Sequence, residues 1–254
     1  MKMSDNNRKT IVTTLSLATV LIAMILALIL VSINYNEKTA KIPGGMTKEL
    51  MDSDLYRDMK AEKSFCFIGD SITYGTETNG VQWYEPLVPY IKGNISNLSF
   101  GMWTVNDIIS RSDQIPFSEV YVIALGTNDV LHPELEISAG TTEDYVKELQ
   151  HLTGILLAIS PDSKLYFISP WMYFDAGMNL KARYAQYRDA LCEWCEETGH
   201  IFLDTEPILS SVFEKQDVYV YTLDGLHPNA KNGVGLYSYA VLKADHDRCN
   251  KSNN

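Results

Sequence analysis

A serine, an asparagine, an aspartate and a histidine stand in short turn-like stretches far apart in this chain. Ser71 lies in Gly69-Asp70-Ser71-Ile72-Thr73, Asn128 in Gly126-Thr127-Asn128-Asp129, and Asp224 and His227 in Asp224-Gly225-Leu226-His227-Pro228-Asn229. A serine hydroxyl is a weak nucleophile at neutral pH and needs a base in hydrogen-bond reach. Histidine supplies such a base, because its ordinary pKa lies near neutrality. A carboxylate three residues earlier can turn back onto the other ring nitrogen and fix the tautomer. A side-chain amide and backbone N–H groups can hold the oxyanion of a tetrahedral intermediate, each worth about 3–4 kcal/mol. These residue types together suit acyl transfer through an acyl-serine. Singly, each is also an ordinary turn residue: Asn128 tolerates a left-handed backbone and His227-Pro228 can open a helix. The functional reading rests on their joint occurrence.

The elements between these turns must bring them to one place. Phe65-Cys66-Phe67-Ile68 is a short apolar run ended by Gly69, a buried-strand pattern. Further strands are expected at 95–100, 120–125, 165–168 and 201–203. Helices are expected at 82–92 (irregular, with Pro86 and Pro89), 105–110, 142–159, 180–198 and 230–245. Thr141 is positioned to cap the third of these, and Gly199 to close the fourth. Strands alternating with helices imply right-handed crossovers and a parallel sheet covered on both faces. In such a sheet ligands bind beyond the carboxyl ends of the strands. Ser71, Gly101-Met102 and Asn128 each follow a strand directly, so they arrive at one rim.

The three blocks resemble the SGNH hydrolases, or GDSL-like esterases and lipases. Gly69 to Thr73 is similar to the family's first block, Gly126 to Asp129 to its third, and Asp224 to Pro228 to its last, in family order. The resemblance covers about 63–248. It implies a flavodoxin-like three-layer α/β/α sandwich with a five-stranded parallel sheet. It also implies Ser71 as nucleophile, His227 as base and Asp224 as its orienting carboxylate. The oxyanion donors it implies are the Ser71 N–H, the Gly101 N–H and the Asn128 amide. The second block departs from the pattern: matching Asn97 and Thr104 without gaps puts Met102, not Gly101, on the donor position, so Met102 is the alternative. Asp70 and Asp129 read as structural, bonding loop amides.

Lys+Arg is 21 against 32 Asp+Glu, a formal net charge of -11, which disfavours nucleic acid as a partner. The bases concentrate at the start, where Lys2, Arg8 and Lys9 precede Ile11–Ile33, a run of 23 residues without a charge. At helical rise that run spans about 34 Å, enough for the hydrocarbon layer. It exceeds a cleaved signal's apolar region, and no small-residue cleavage site follows. The expected organisation is a cytoplasmic N-terminus at 1–10, a transmembrane signal anchor at 11–33, a stalk at 34–62, the hydrolase domain at 63–248 and a tail at 249–254. The positive-inside rule then places the catalytic domain outside the cell membrane.

Four cysteines do not make a disulfide scaffold. Cys192 and Cys195 form a CxxC inside a helix without a second pair, which reads as packing rather than zinc. The chemistry requires neither metal nor cofactor. Asn94-Ile95-Ser96 and Asn97-Leu98-Ser99 match the glycosylation pattern in a strand expected to be buried, which fits a bacterial chain. Trp103 and Trp171 are candidate substrate-binding residues, since both follow strands near the rim and aromatic rings can hold a sugar or a short acyl chain. The expected function is hydrolysis of short-chain carboxylic esters, with O-acetyl groups on a surface glycan as the preferred substrate. Two alternatives stay open: an O-acyltransferase of the same fold acting on a cell-surface glycan, and a catalytically silent glycan-binding module.

Overall fold

The computed structural model describes residues 19–26 and 41–252. The chain divides into two units, Met1–Thr39 and Ala40–Asn254. In the first, residues 19–26 are helical; the remainder of the expected 11–33 anchor lies outside the described residues. Among the described residues no helix is long and apolar enough to cross a membrane.

The second unit opens with two short helices, α1 (Lys48–Met51) and α2 (Asp54–Lys60). Thr47 and Ser53 cap them, each hydroxyl accepting a backbone N–H. The alternation read from the sequence follows: β1 (Phe65–Gly69), α3 (Ser71–Tyr74), β2 (Ile95–Ser99), α4 (Val105–Ile109), β3 (Val120–Ala124), α5 (Thr127–Leu131), α6 (Thr142–Ile159), β4 (Lys164–Ile168), α7 (Met178–Thr198), β5 (Ile201–Leu203), α8 (Glu206–Phe213) and α9 (Gly233–Ser252). All strands are parallel, in the order β2-β1-β3-β4-β5. That order makes the space between β1 and β3 the switch point, where successive connections leave toward opposite faces.

Alternate strand residues face opposite layers. Phe65, Phe67, Val120, Val122, Tyr166 and Ile168 pack with Leu50, Leu55, Leu209 and Val241 on one side. Cys66, Ile68, Tyr121, Ile123, Leu165 and Phe167 pack with Ile108, Leu149, Leu152 and Leu191 on the other. Both faces are therefore apolar and dry, and a parallel sheet survives only with both covered. Each fully buried Leu, Ile or Phe contributes roughly 1.5–3 kcal/mol.

Four expectations need correction. Residues 34–62 are not a stalk throughout: Ile42, Leu50, Leu55 and Met59 are buried in the core, and the Leu55 N–H donates to Asp245 Oδ2 on α9 at 2.6 Å. An alternation of polar and apolar residues over helices of 4 and 7 residues is too short to show its inner face in sequence. The helix expected at 82–92 is a 3-10 segment over Glu85–Tyr90, as its two prolines remove backbone donors. The last helix starts at Gly233, because the Asn229 side chain accepts from the N–H groups of Asn232 and Gly233 and holds a turn there. Strand β2 lies at the sheet edge with Asn94 and Asn97 exposed, so the two glycosylation-like sites are not buried.

Candidate active site

Ser71 is the first residue of α3, directly beyond the carboxyl end of β1. Asp70 caps that helix, its Oδ1 accepting the Ile72 N–H at 3.0 Å. The first N–H groups of a helix have no acceptor within it, so the Ser71 amide is free to face the cleft. Ile72 and Thr73 turn inward and are buried, while Ser71 is half-buried on the outer side.

His227 comes to Ser71 from 156 positions away. Its Nε2 lies 2.9 Å from Ser71 Oγ, and its Nδ1 lies 2.7 Å from Asp224 Oδ2. The same carboxylate accepts the backbone N–H groups of Leu226 and His227 on Oδ1, at 2.9 and 2.8 Å. Burial alone would raise the Asp224 pKa, but the ring and backbone hydrogen bonds outweigh it and hold the carboxyl below its ordinary value. An ionised Asp224 accepts from Nδ1–H, which leaves the Nε2 lone pair toward the serine.

The loop that carries this pair is pinned from several sides. The Phe174 N–H donates to the Gly225 carbonyl at 2.9 Å, and the Tyr237 hydroxyl to the Leu226 carbonyl at 2.6 Å. Thr222 and Pro228 form an isolated antiparallel bridge, with Leu223 N–H bonded to the His227 carbonyl. Gly225 has φ +90, and a Cβ there would stand 2.8 Å from the Asp175 Cβ, so the loop needs glycine on both counts.

Asn128 follows β3 on α5 and is 4% exposed. Its Nδ2 donates to the Trp103 carbonyl at 2.9 Å, which fixes the amide and ties it to the loop after β2. In that loop the Trp103 N–H turns back to the Phe100 carbonyl, leaving the amides of Gly101 and Met102 in the middle of the turn. Met102, not Gly101, takes the left-handed backbone, at φ 66. Gly101 and Met102 thus share one turn beside Ser71 and Asn128, and both amides stay open as donors.

Asp70 and Asp129 are completely buried. Burial pushes each carboxyl up to about 6, against the pull of backbone N–H donors, from Ile72 for Asp70 and chiefly from Ala139 for Asp129. Asp70 bonds the first turn of a helix rather than a loop amide, and Asp129 bonds the loop amide of Ala139, so the role of each is structural.

Trp171 is corrected as a substrate contact: it is 1% exposed and packed in the core between Trp83, which it meets edge-on, and the tilted ring of Tyr237. Its place just after β4 suggested the rim, but the side chain turns inward between layers. Trp103 is half-buried and reaches the surface. Two residues that the sequence reading passed over, Tyr74 and Phe100, are 43% and 52% exposed beside Ser71. The signal for Tyr74 was its place three residues after the serine, which puts both on one side of a helical turn. Cys192 and Cys195 are free thiols on α7, and burial pushes Cys195 upward, so neither is an activated nucleophile.

Residues 67–231 match the model of the GDSL-like lipase/acylhydrolase family, a span that includes all four site residues. This chain belongs to that family. It is an SGNH-type serine hydrolase acting on ester bonds. Several solved structures share the fold. A protein of Parabacteroides merdae described as GDSL-like lipase is 19% identical with a TM-score of 0.64, over 74% of this chain and 97% of that one. Axe2, an acetylxylan esterase from Geobacillus stearothermophilus, is 19% identical with a TM-score of 0.63, over 74% and 95%. LAE5, an α/β hydrolase from the metagenome of Lake Arreo, Spain, is 20% identical with a TM-score of 0.60, over 73% and 95%. At these identities the likeness is one of fold. A search of curated proteins found no match to this sequence.

Proposed function

We propose that this SGNH hydrolase is a membrane-anchored, extracytoplasmic esterase that removes short acyl groups, O-acetyl above all, from a surface glycan. The observation that carries the chemistry is the continuous Ser71–His227–Asp224 chain of hydrogen bonds at 2.9 and 2.7 Å. Ser71 Oγ attacks the ester carbonyl carbon while His227 Nε2 takes its proton. Asp224 stabilises the imidazolium that forms. The oxyanion accepts hydrogen bonds from the Ser71 N–H, from Asn128 Nδ2 and from the N–H of Gly101 or Met102. Collapse expels the alcohol, which takes the proton from His227 and leaves an acyl-Ser71. Water, deprotonated by His227, then releases the acid and restores the serine.

The glycan preference draws support from the acetylxylan esterase among the structures of like fold. The anchor draws support from the uncharged 23-residue run at Ile11–Ile33 behind Lys2, Arg8 and Lys9. The purified full-length chain, assayed on p-nitrophenyl esters of increasing acyl length and on acetylated glycans, tests the proposal. Acetate release that disappears in Ser71→Ala is expected. Acetyl transfer to an added glycan without acetate release would assign the chain to the acyltransferases instead. Cell fractionation with protease accessibility tests the topology: the C-terminal half should be membrane-bound and cleavable from outside.

A further inference from the structure

We propose that Tyr74 and Phe100, their ring planes inclined by 59°, form an angled sugar subsite beside Ser71, against which a pyranose ring of the substrate rests. The inference builds on the acylated-glycan reading above and names the surface that recognises the glycan. Helix α3 turns Ile72 and Thr73 into the core and leaves Ser71 and Tyr74 on its outer side. Phe100 comes from the loop after β2, and its ring centroid lies 5.1 Å from that of Tyr74. Trp103 stands 5.8 Å behind Phe100, with the Arg111 guanidinium 4.6 Å over its own ring. One face of Trp103 is therefore occupied, and it backs the pair rather than forming the open surface.

The aromatic pair and the reacting atoms share one frame. Tyr74 is on the same helix as Ser71, and the Trp103 carbonyl is held by Asn128 Nδ2. Single exposed rings are common on protein surfaces, but two in contact next to a catalytic serine form a ligand surface. Both rings are about half wet, so the surface is open rather than enclosed. A long acyl chain laid on it would keep one side in water and gain little. A pyranose has one face of C–H bonds and a rim of hydroxyls, so it covers the rings while its polar edge stays solvated. The C–H face also meets the negative face of the aromatic ring.

The test compares the full-length wild type with Tyr74→Ala, Phe100→Ala and Phe100→Trp. The substrates are ethyl acetate, which carries no ring to stack, and acetylated xylo- and manno-oligosaccharides, all followed by acid release. In each alanine variant the ratio of kcat/KM for the oligosaccharide to that for ethyl acetate should fall about tenfold, through KM rather than kcat. Phe100→Trp should restore that ratio to within about threefold, and thermal melting should stay at the wild-type temperature. Equal losses on both substrates, or no loss on the oligosaccharides, would overturn the subsite while leaving the esterase standing. Wild type that cleaves ethyl acetate but neither oligosaccharide would overturn the sugar assignment alone. Absence of turnover on every ester would sink the esterase reading, and the subsite with it.

Discussion

Asp224 Oδ2 stands 2.7 Å from His227 Nδ1, while its other oxygen accepts two backbone amides of the same loop. One carboxylate thus sets the loop's shape and the ring's tautomer together. Replacing it by asparagine with its carbonyl on Oδ1 keeps the two backbone bonds but puts a donor against Nδ1. The ring must then present its N–H to the serine. Asp224→Asn should lower kcat by roughly 10³–10⁴-fold with little change in melting temperature, read by ester turnover and calorimetry. Retention of most of the activity would show that the carboxylate has no catalytic part.

Ser71→Ala should abolish ester turnover, by at least about 10⁴-fold, and eliminate labelling by a fluorophosphonate. Only one side-chain hydrogen bond of Ser71 is lost, so stability should change by about 1 kcal/mol or less. His227→Ala should match it in turnover while the domain stays folded.

Asn128→Ala removes an oxyanion donor and frees the Trp103 carbonyl. Loss of one such donor costs roughly 10²–10³-fold in kcat. Steady-state kinetics should show that loss mainly in kcat, because the oxyanion exists only in the transition state. An effect confined to KM would remove Asn128 from the oxyanion site.

Gly126 takes φ +110 at the start of α5, and a Cβ there would lie within 2.9 Å of three Tyr145 ring and hydroxyl atoms. Gly126→Ala should destabilise the domain by about 1–3 kcal/mol in urea unfolding. Adding Tyr145→Phe should not rescue it, since ring carbons as well as the hydroxyl stand in the way.

Asp129 holds its proton more tightly when folded, with a pKa of about 6 against an ordinary 3.8. A raised carboxyl gives its full contribution below about pH 4 and loses it as pH climbs through 6. Asp129→Asn lacks that loss. Its stability relative to wild type should rise by on the order of 3 kcal/mol between pH 4 and 7 in urea titrations. A difference that does not change with pH would mean the burial penalty is absent.

All five expected strands are found: β1, β3, β4 and β5 are short, largely apolar runs ended by glycine or a polar turn, whereas the edge strand β2 is the mixed stretch Ile-Ser-Asn-Leu-Ser. Parallel topology sends the post-strand turns of Ser71 and Asn128 to one rim, but Asp224 and His227 follow no strand directly, and their place in the grouping was legible only through the resemblance of 224–228 to the family's last block. One short helix was expected near Met46–Met59, where the chain forms two, α1 and α2, and α8 was not anticipated, since one or two turns show too little periodicity. Trp171 and Tyr74 look alike on paper, as aromatics close behind a strand. Which one faces water depends on the local backbone: Trp171 is wedged between layers, whereas Tyr74 is turned outward by the helix that Asp70 caps.

The backbone at Lys41 and Ile42 passes so close to α9 that a Cβ on Gly235 would fall 2.1 Å from the Lys41 carbonyl oxygen. Ile42 and Leu55 are buried in the same core as Val241 and Leu242 of that helix. The entry and exit of the catalytic half are therefore stapled together. A cut upstream of Lys41 therefore leaves a working hydrolase, whereas severing the chain after it would peel a cover from the last helix and unravel the fragment.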